Sequence, residues 1–252
     1  MAVVGIIPAR MASSRFPGKV LADRTGKPLI QHVFEAARAC RTLERIAIAT
    51  DDPRVVDACA RFGVACVMTS PDHPNGTSRL AEAADALALA DDDIVVNVQG
   101  DEPEMDTSVI DDAVEALRRS TAPMATAAIR MGPREDVDNP NIVKVVVRAD
   151  GTALYFSRSR VPFVRDPKGG IDELPLRHVG LYVYRRPFLR VYPTLASTPL
   201  ERLESLEQLR VLEHGHAIAV AVSRGAPTPG IDTPEQYEAF VARVKAGRSG
   251  NH

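Results

Sequence analysis

The chain has 252 residues, 45% of them apolar and 25% charged, which suits one large α/β domain or a core carrying a smaller lobe and excludes a disordered or low-complexity chain. A net charge of −2 offers no global field for nucleic acid or an anionic membrane, so phosphate binding must come from a local cluster. Three cysteines, Cys40, Cys59 and Cys66, form no CxxC pair and leave an odd count, as expected of buried free thiols in a reducing compartment.

Val3–Ile7 opens the chain as a β-branched run with no basic flank. It is too short for a secretory or membrane-spanning segment and reads as a core strand of a cytoplasmic protein. Further strands are expected at Ile46–Ala49, Ala65–Met68, Ile94–Val98, Met124–Ile129 and Ala217–Val222. Helical spacing falls between them at Leu29–Cys40, Val55–Phe62, Ser78–Leu89 and Val109–Arg118, with Pro28 and Pro53 placed where a first turn tolerates proline. This alternation predicts a mostly parallel, doubly wound sheet.

The pattern changes after residue 132. Ile142–Arg148 and Thr152–Phe156, joined at Asp150-Gly151, read as a hairpin, and Val179–Tyr184 as another strand. An antiparallel lobe over 133–199 is therefore expected on a core made of 1–132 and 200–246. Leu200–Leu212 reads as one amphipathic helix ending at Gly215, and Pro234–Val244 as the last helix, with a frayed tail over 247–252.

The loop after the first strand, Pro8-Ala9-Arg10-Met11-Ala12-Ser13-Ser14-Arg15-Phe16-Pro17-Gly18-Lys19, leaves a strand end where open α/β sheets bind ligands. Small residues there let backbone N–H groups approach a ligand, and Arg10, Arg15 and Lys19 bring cations. Together they suit a triphosphate. Neither GxxxxGK[ST] nor GxGxxG is present, so it is neither a Walker loop nor a dinucleotide fingerprint, and a solvated basic loop is the competing reading.

Asn97-Val98-Gln99-Gly100-Asp101-Glu102-Pro103 ends another strand. A carboxylate at such a terminus suits Mg²⁺, with Gly100 allowing a sharp turn before Asp101, while capping of the next helix by Asp101 or Glu102 competes evenly. Asp232, in Gly230-Ile231-Asp232-Thr233-Pro234, is read first as a helix cap and second as another metal carboxylate. The loop Pro71–Arg79 suits base recognition through backbone groups, or a plain turn capped by Thr77; its His73 has no metal-ligand spacing. Alternation along Arg177–Arg185 puts His178, Tyr182 and Tyr184 on one face, either a hydroxyl-rich pocket or ordinary packing. Glu204, Glu207 and Gln208 share a face of the expected helix, where solvation is the default.

These segments taken together resemble the 3-deoxy-manno-octulosonate (Kdo) cytidylyltransferases. IIPAR-x-ASSRFPGK, GKPLI-x-HV, HPNGTSRLAE, VVNVQGDEP, NPNIVKVV, ALYFSRS-x-VPF, RHVGLYVYR, LESLEQLRVLEHG and GIDTPEQYE run in order from about residue 5 to 240. The resemblance implies a Rossmann-like nucleotidyltransferase with a mostly parallel central sheet and a smaller antiparallel dimerisation lobe. It implies that Ala9, Arg10, Ala12, Ser13, Ser14, Arg15, Lys19, Gly76, Arg79 and Gln99 meet CTP. Asp101 and Asp232 would hold Mg²⁺, and Lys19 and Arg10 would join them as the catalytic set. Gln99, Arg158, His178, Tyr182, Glu207 and Gln208 would bind the sugar acid.

The implied reaction is in-line attack of the sugar's anomeric hydroxyl on the α-phosphorus of CTP, with pyrophosphate leaving. One Mg²⁺ would activate the hydroxyl and a second would bind the triphosphate. The chain departs from the family at Ser78, where an acidic residue is usual, and at Phe163 and Glu213, where tryptophans are common. The acceptor stays open between Kdo, another 2-keto-3-deoxy sugar acid and a phosphonate. A catalytically silent CTP sensor predicts loss of Lys19, Asp101 or Asp232, and all three are present. A nicotinamide oxidoreductase predicts a glycine fingerprint that is missing.

Overall fold

The structure, a computed structural model, describes residues 1–13, 15–73, 75–132, 135–165, 175–226 and 230–249. Its chain divides into two compact units, one of Val3–Leu89, Asn97–Met105 and Thr228–His252, the other of Met1–Ala2, Ala90–Val96 and Asp106–Pro227.

In the first unit, β1 (Val3–Ala9), β2 (Arg45–Thr50) and β3 (Ala65–Met68) pair in parallel in the order β3-β2-β1. β1 is almost wholly buried, which explains its unbroken apolar run. The helices are α1 (Leu29–Ala37), α2 (Pro53–Phe62), α3 (Gly76–Ala86) and α8 (Pro234–Ser249). α8 packs Tyr237, Phe240 and Val241 against Leu29 and Ile231, with Phe16 and Ala22 at the margin. This cluster ties the loop after β1 to the last helix. Because β1, β2 and β3 run the same way, the segments after Ala9, Thr50 and Met68 leave one edge of this sheet. Val98 N–H donates to the Ile6 carbonyl, which draws the Gln99–Glu102 turn alongside β1.

The second unit orders β4 (Ile94–Asn97), β8 (Leu176–Arg185), β5 (Met124–Arg130) and β9 (Ile218–Ser223) side by side. β5 runs parallel to β9 and antiparallel to β8. β6 (Lys144–Val147) and β7 (Ala153–Ser157) form the expected hairpin, with Gly151 at φ 82° in its turn, and β6 also pairs antiparallel with β8. Its helices are α4 (Thr107–Arg118), α5 (Arg186–Val191), α6 (Pro199–Glu204) and α7 (Glu207–Glu213).

One expectation fails. The single helix expected over Leu200–Leu212 is two short helices, broken where Ser205 takes φ 51° and ψ 51°, so Glu204 and Glu207 do not share one helical face. α8 continues to Ser249, and the rest of the tail expected over 247–252 lies outside the described residues. Gly215, at φ 79°, follows the end of α7 as read.

Candidate active site

A cavity of about 350 Å³ opens at the strand-end edge of the first unit. Pro8, Arg10, Ala12, Ser13, Arg15, Lys19, Val20, Gly76, Gln99, Gly100 and Asp101 line it. The loop after β1 is folded on itself there, with Ser13 N–H and Gly18 N–H both donating to the Met11 carbonyl. Gly18 sits at φ 72°, a left-handed position that favours glycine, and it directly precedes the 3₁₀ turn Lys19–Leu21. That turn buries most of Lys19 and aims its ammonium inward.

Three acceptor oxygens converge on the Lys19 ammonium. Nζ donates to Asp101 Oδ2 at 2.8 Å, to Asp232 Oδ1 at 3.1 Å and to the Ile231 carbonyl at 2.8 Å. An ammonium has three N–H groups, so all are used. Arg15 pairs with the other Asp232 oxygen at 2.9 Å, and Ile231 N–H donates to the Asp101 carbonyl at 2.8 Å, joining the two acidic turns through the backbone. Residues 19, 101 and 232 thus meet at one point.

The competing capping roles are filled by other residues. Asp106, not Asp101 or Glu102, caps α4 by accepting from Ser108 N–H at 3.0 Å. At α8, Thr233 Oγ1 accepts from Gln236 N–H at 3.4 Å while Gln236 Oε1 accepts from Thr233 N–H at 3.0 Å, a reciprocal capping box that leaves the Asp232 carboxylate to the cations. Asn75, not Thr77, caps α3 through Ser78 N–H at 2.9 Å.

The chain turns at Gly100 as expected, with Glu102 N–H donating to the Gln99 carbonyl at 3.3 Å, and the glycine is also required for space. A Cβ there would collide with the Pro8 carbonyl oxygen, and its φ is not among the positive ones. Close approach of this turn to β1 is what carries Asp101 to Lys19. Beside it, burial and then the Asp101 charge push the Glu102 carboxyl up to about 7. A lone glutamate after an aspartate gives no sequence cue to that shift.

Of the residues expected to meet CTP, Arg10, Ala12, Ser13, Arg15, Lys19, Gly76 and Gln99 line the cavity. Ala9 is buried within β1 and is not among the lining residues. Arg79 is also absent from the lining: fully buried, it donates to Asp51 Oδ2 at 2.7 Å and to Thr69 Oγ1 at 2.5 Å, bracing α3 against the ends of β2 and β3. Ser14 lies outside the described residues. The Ile231 carbonyl is a site group that the sequence did not disclose, since a backbone oxygen has no residue signature.

The residues expected to bind the sugar acid lie in the second unit, apart from Gln99. β8 holds His178, Tyr182 and Tyr184 on one face, with ring centroids 5.7 Å apart for the first pair and 6.3 Å for the second. A two-residue bulge opposite Thr126/Ala127 preserves the alternation. Tyr182 donates its hydroxyl to Gln208 Oε1 at 2.9 Å, while the buried Gln208 Nε2 has no partner among the described residues. Burial raises the Tyr182 hydroxyl well above the ordinary phenol range. Thr126 Oγ1 donates to the Leu181 carbonyl at 2.7 Å, so His178 Nε2, at 2.9 Å from the same oxygen, must be the donor, which leaves Nδ1 as the ring's acceptor. Burial pushes the His178 ring down to about 3. Glu207 is exposed and accepts from Tyr192 at 3.3 Å. Arg158 donates to the carbonyls of Pro140, Glu204 and Ser205 at 2.9, 2.7 and 3.3 Å.

The cavity therefore offers cations and amide groups to a polyanion and a convergent oxygen set to a hard cation. Among the described residues, no group of three or more His, Cys, Asp or Glu side chains is placed to hold a metal, so any ion here would take two carboxylates and complete its shell from ligand oxygens. No helix among the described residues is long and apolar enough to cross a membrane.

Comparison with known proteins agrees with this arrangement. A family model described as cytidylyltransferase matches residues 4–218. The 3-deoxy-manno-octulosonate cytidylyltransferase of Syntrophobacter fumaroxidans is 50% identical over 244 residues, covering 96% of each chain. The protein of the same name from Vibrio vulnificus is 47% identical over 253 residues, covering 99% of this chain and 100% of its own. Among solved structures, a CMP:2-keto-3-deoxy-manno-octonic acid synthetase complexed with CTP superposes with a TM-score of 0.88 at 40% identity, covering 98% of this chain and all of that one. A Leptospira borgpetersenii cytidylyltransferase, at 17% identity and a TM-score of 0.63, shares the fold. With this mixed α/β fold and mostly parallel central sheet, the chain belongs to the 3-deoxy-manno-octulosonate cytidylyltransferase family.

Proposed function

We propose that this enzyme transfers CMP from CTP to the anomeric hydroxyl of Kdo and releases pyrophosphate. The observation that carries the reading is the convergence of Asp101, Asp232 and Ile231 on Lys19 at the rim of a cavity that also holds Arg10 and Arg15. Near-full-length relatives at about half identity are named for this reaction, and a solved relative holds CTP.

Arg10, Arg15 and Lys19 would grip the triphosphate, with the backbone N–H groups near Ala12 and Ser13 adding neutral donors. Charge on the departing pyrophosphate would be spread over these groups, which is where preorganised cations lower a barrier. Gly76 and Gln99 would flank the nucleoside, and Arg79 would support them from behind through Asp51 and Thr69. Asp101 and Asp232 would hold Mg²⁺: two carboxylate oxygens already converge on one cation, the donor chemistry that a hard ion takes. When bound, Mg²⁺ would supply Lewis-acid activation of the hydroxyl and charge neutralisation at the phosphates. His178, Tyr182, Gln208, Glu207 and Arg158 would shape the acceptor pocket, where the unpartnered Gln208 Nε2 is a donor suited to a sugar or carboxylate oxygen. We further propose a cytoplasmic homodimer that associates through residues 133–199.

A pyrophosphate-release assay with CTP tests the reading, run with and without Mg²⁺ against Kdo, other 2-keto-3-deoxy acids and a phosphonate. Release with Kdo alone supports it. Release only with another acid reassigns the acceptor, and CTP binding without release under any condition supports the sensor reading.

A further inference from the structure

Ser205 separates α6 from α7 in a left-handed conformation that costs a serine conformational energy, and this break sets where Glu207 and Gln208 begin the next helix. The guanidinium of Arg158 sits on the end of α6, donating Nε–H to the Glu204 carbonyl at 2.7 Å and Nη2–H to the Ser205 carbonyl at 3.3 Å. These are helix-end carbonyls without intrahelical partners, and a cation there also meets the negative end of the helix dipole. Its third bond, at 2.9 Å, reaches the Pro140 carbonyl.

Lys144 holds Arg158 from the other side. Its fully buried ammonium donates to the carbonyls of Asn139 at 3.1 Å and Ile142 at 2.6 Å, and to the carbonyl of Arg158 itself. Among the described residues, every bond made by these two cations ends on a backbone oxygen, so both orient chain segments and neither is directly bonded to a carboxylate there. The Glu204 carboxylate completes the junction by accepting from Arg158 N–H at 2.9 Å and from Ser157 Oγ at 2.7 Å.

We propose that Lys144 and Arg158 form a clamp that stabilises the Ser205 break and thereby aims Gln208 at Tyr182, making Arg158 a positioning residue of the acceptor pocket. The inference rests on the acceptor reading given above and deepens it. A guanidinium whose main task were to bind the sugar carboxylate would not need three backbone carbonyls to hold it, whereas a cap needs them.

The discriminating pair is Arg158→Gln with and without Ser205→Gly. Glycine takes positive φ at no steric cost and terminates a helix unaided, so it replaces the clamp without replacing a ligand. Arg158→Gln should raise the KM for Kdo by roughly 10- to 100-fold, the scale on which small misplacements act, with the KM for CTP unchanged. Adding Ser205→Gly should recover most of that loss, and Ser205→Gly alone should leave the kinetics as they are. No recovery in the double variant, or an unchanged KM for Kdo in Arg158→Gln, overturns the clamp. Thermal unfolding reads the same variants without substrate: Arg158→Gln and Lys144→Met should both melt lower, and Ser205→Gly should restore the first. If the wild type releases no pyrophosphate with Kdo while this melting pattern holds, the acceptor reading fails and the structural clamp stands. If the melting pattern is absent, the clamp is overturned whatever the substrate.

Discussion

Lys19 Nζ donates to Asp101 Oδ2 at 2.8 Å, joining residues 82 positions apart, and reaches Asp232 at 3.1 Å with another of its hydrogens. The ammonium thus stands between the two carboxylates that would hold a divalent ion. Lys19→Met should destabilise the protein by about 2 kcal/mol without metal. That is less than the 3–5 kcal/mol typical of breaking a buried pair, because Asp101 and Asp232 keep 29% and 40% of their side-chain surface exposed. Melting should fall by roughly 4–8 °C. Millimolar Mg²⁺ without nucleotide should raise the variant's melting point more than the wild type's, since the divalent ion no longer competes with an ammonium for the two carboxylates. Equal shifts in a scanning-fluorimetry comparison would reject that competition.

Gly100→Ala tests whether close approach of the acidic turn to β1 positions the site. The added methyl would collide with the Pro8 carbonyl, a backbone atom that cannot swing aside, so the turn must move. We expect a loss of about 1–3 kcal/mol in stability, the usual cost of overpacking, and a fall in kcat larger than the change in KM for CTP. Wild-type kinetics in this variant would mean that the turn tolerates displacement.

Much of this arrangement was legible in the sequence because strand–helix alternation sends the chain back to the same sheet edge after each strand. The loops holding Lys19, Gly76 and Asp101 were therefore readable as neighbours before any distance was known. What was not legible turns on local competition. Asp101 and Asp232 each stood near a helix start, and only the structure assigns the caps to Asp106 and Thr233. Ser205 carries no glycine-like signal, so amphipathic spacing ran through a break held by contacts from Arg158, 47 positions away. Lys19 was read as a phosphate ligand from its charge; that its three hydrogens are taken by Asp101, Asp232 and Ile231 is a tertiary fact.

His178 predicts the acid limb of stability. Burial holds its folded pKa near 3, against an ordinary 6.5, so the folded ring excludes a proton that the unfolded chain accepts between those values. The fold loses nothing from this group above pH 6.5 and is progressively weakened as pH falls toward 3. His178→Gln should flatten that decline, sparing on the order of 1–3 kcal/mol near pH 4.5 once its own packing cost at pH 8 is subtracted. Urea midpoints from pH 8 to 4 measure it. Parallel declines in the two proteins would show that other groups set the acid limb.

Asp232 and Thr233 are adjacent yet make different contacts, and on the proposed reading they would divide function from folding. Thr233 shares the capping box with Gln236, whereas Asp232 gives its carboxylate oxygens to Lys19 and Arg15. Thr233→Ala should cost about 1 kcal/mol of stability, as loss of a helix cap does, with kcat changed only a few-fold. Asp232→Asn keeps the cap and the side-chain shape but removes a charge, so pyrophosphate release should fall by at least about 100-fold with little change in melting point. The asparagine variant should also lose the Mg²⁺-dependent part of its CTP affinity in calorimetry, because an amide oxygen is a weaker ligand for a hard ion. The reverse pattern, a stability loss at Asp232 and an activity loss at Thr233, would return Asp232 to the role of helix cap and leave Asp101 as the site's lone carboxylate.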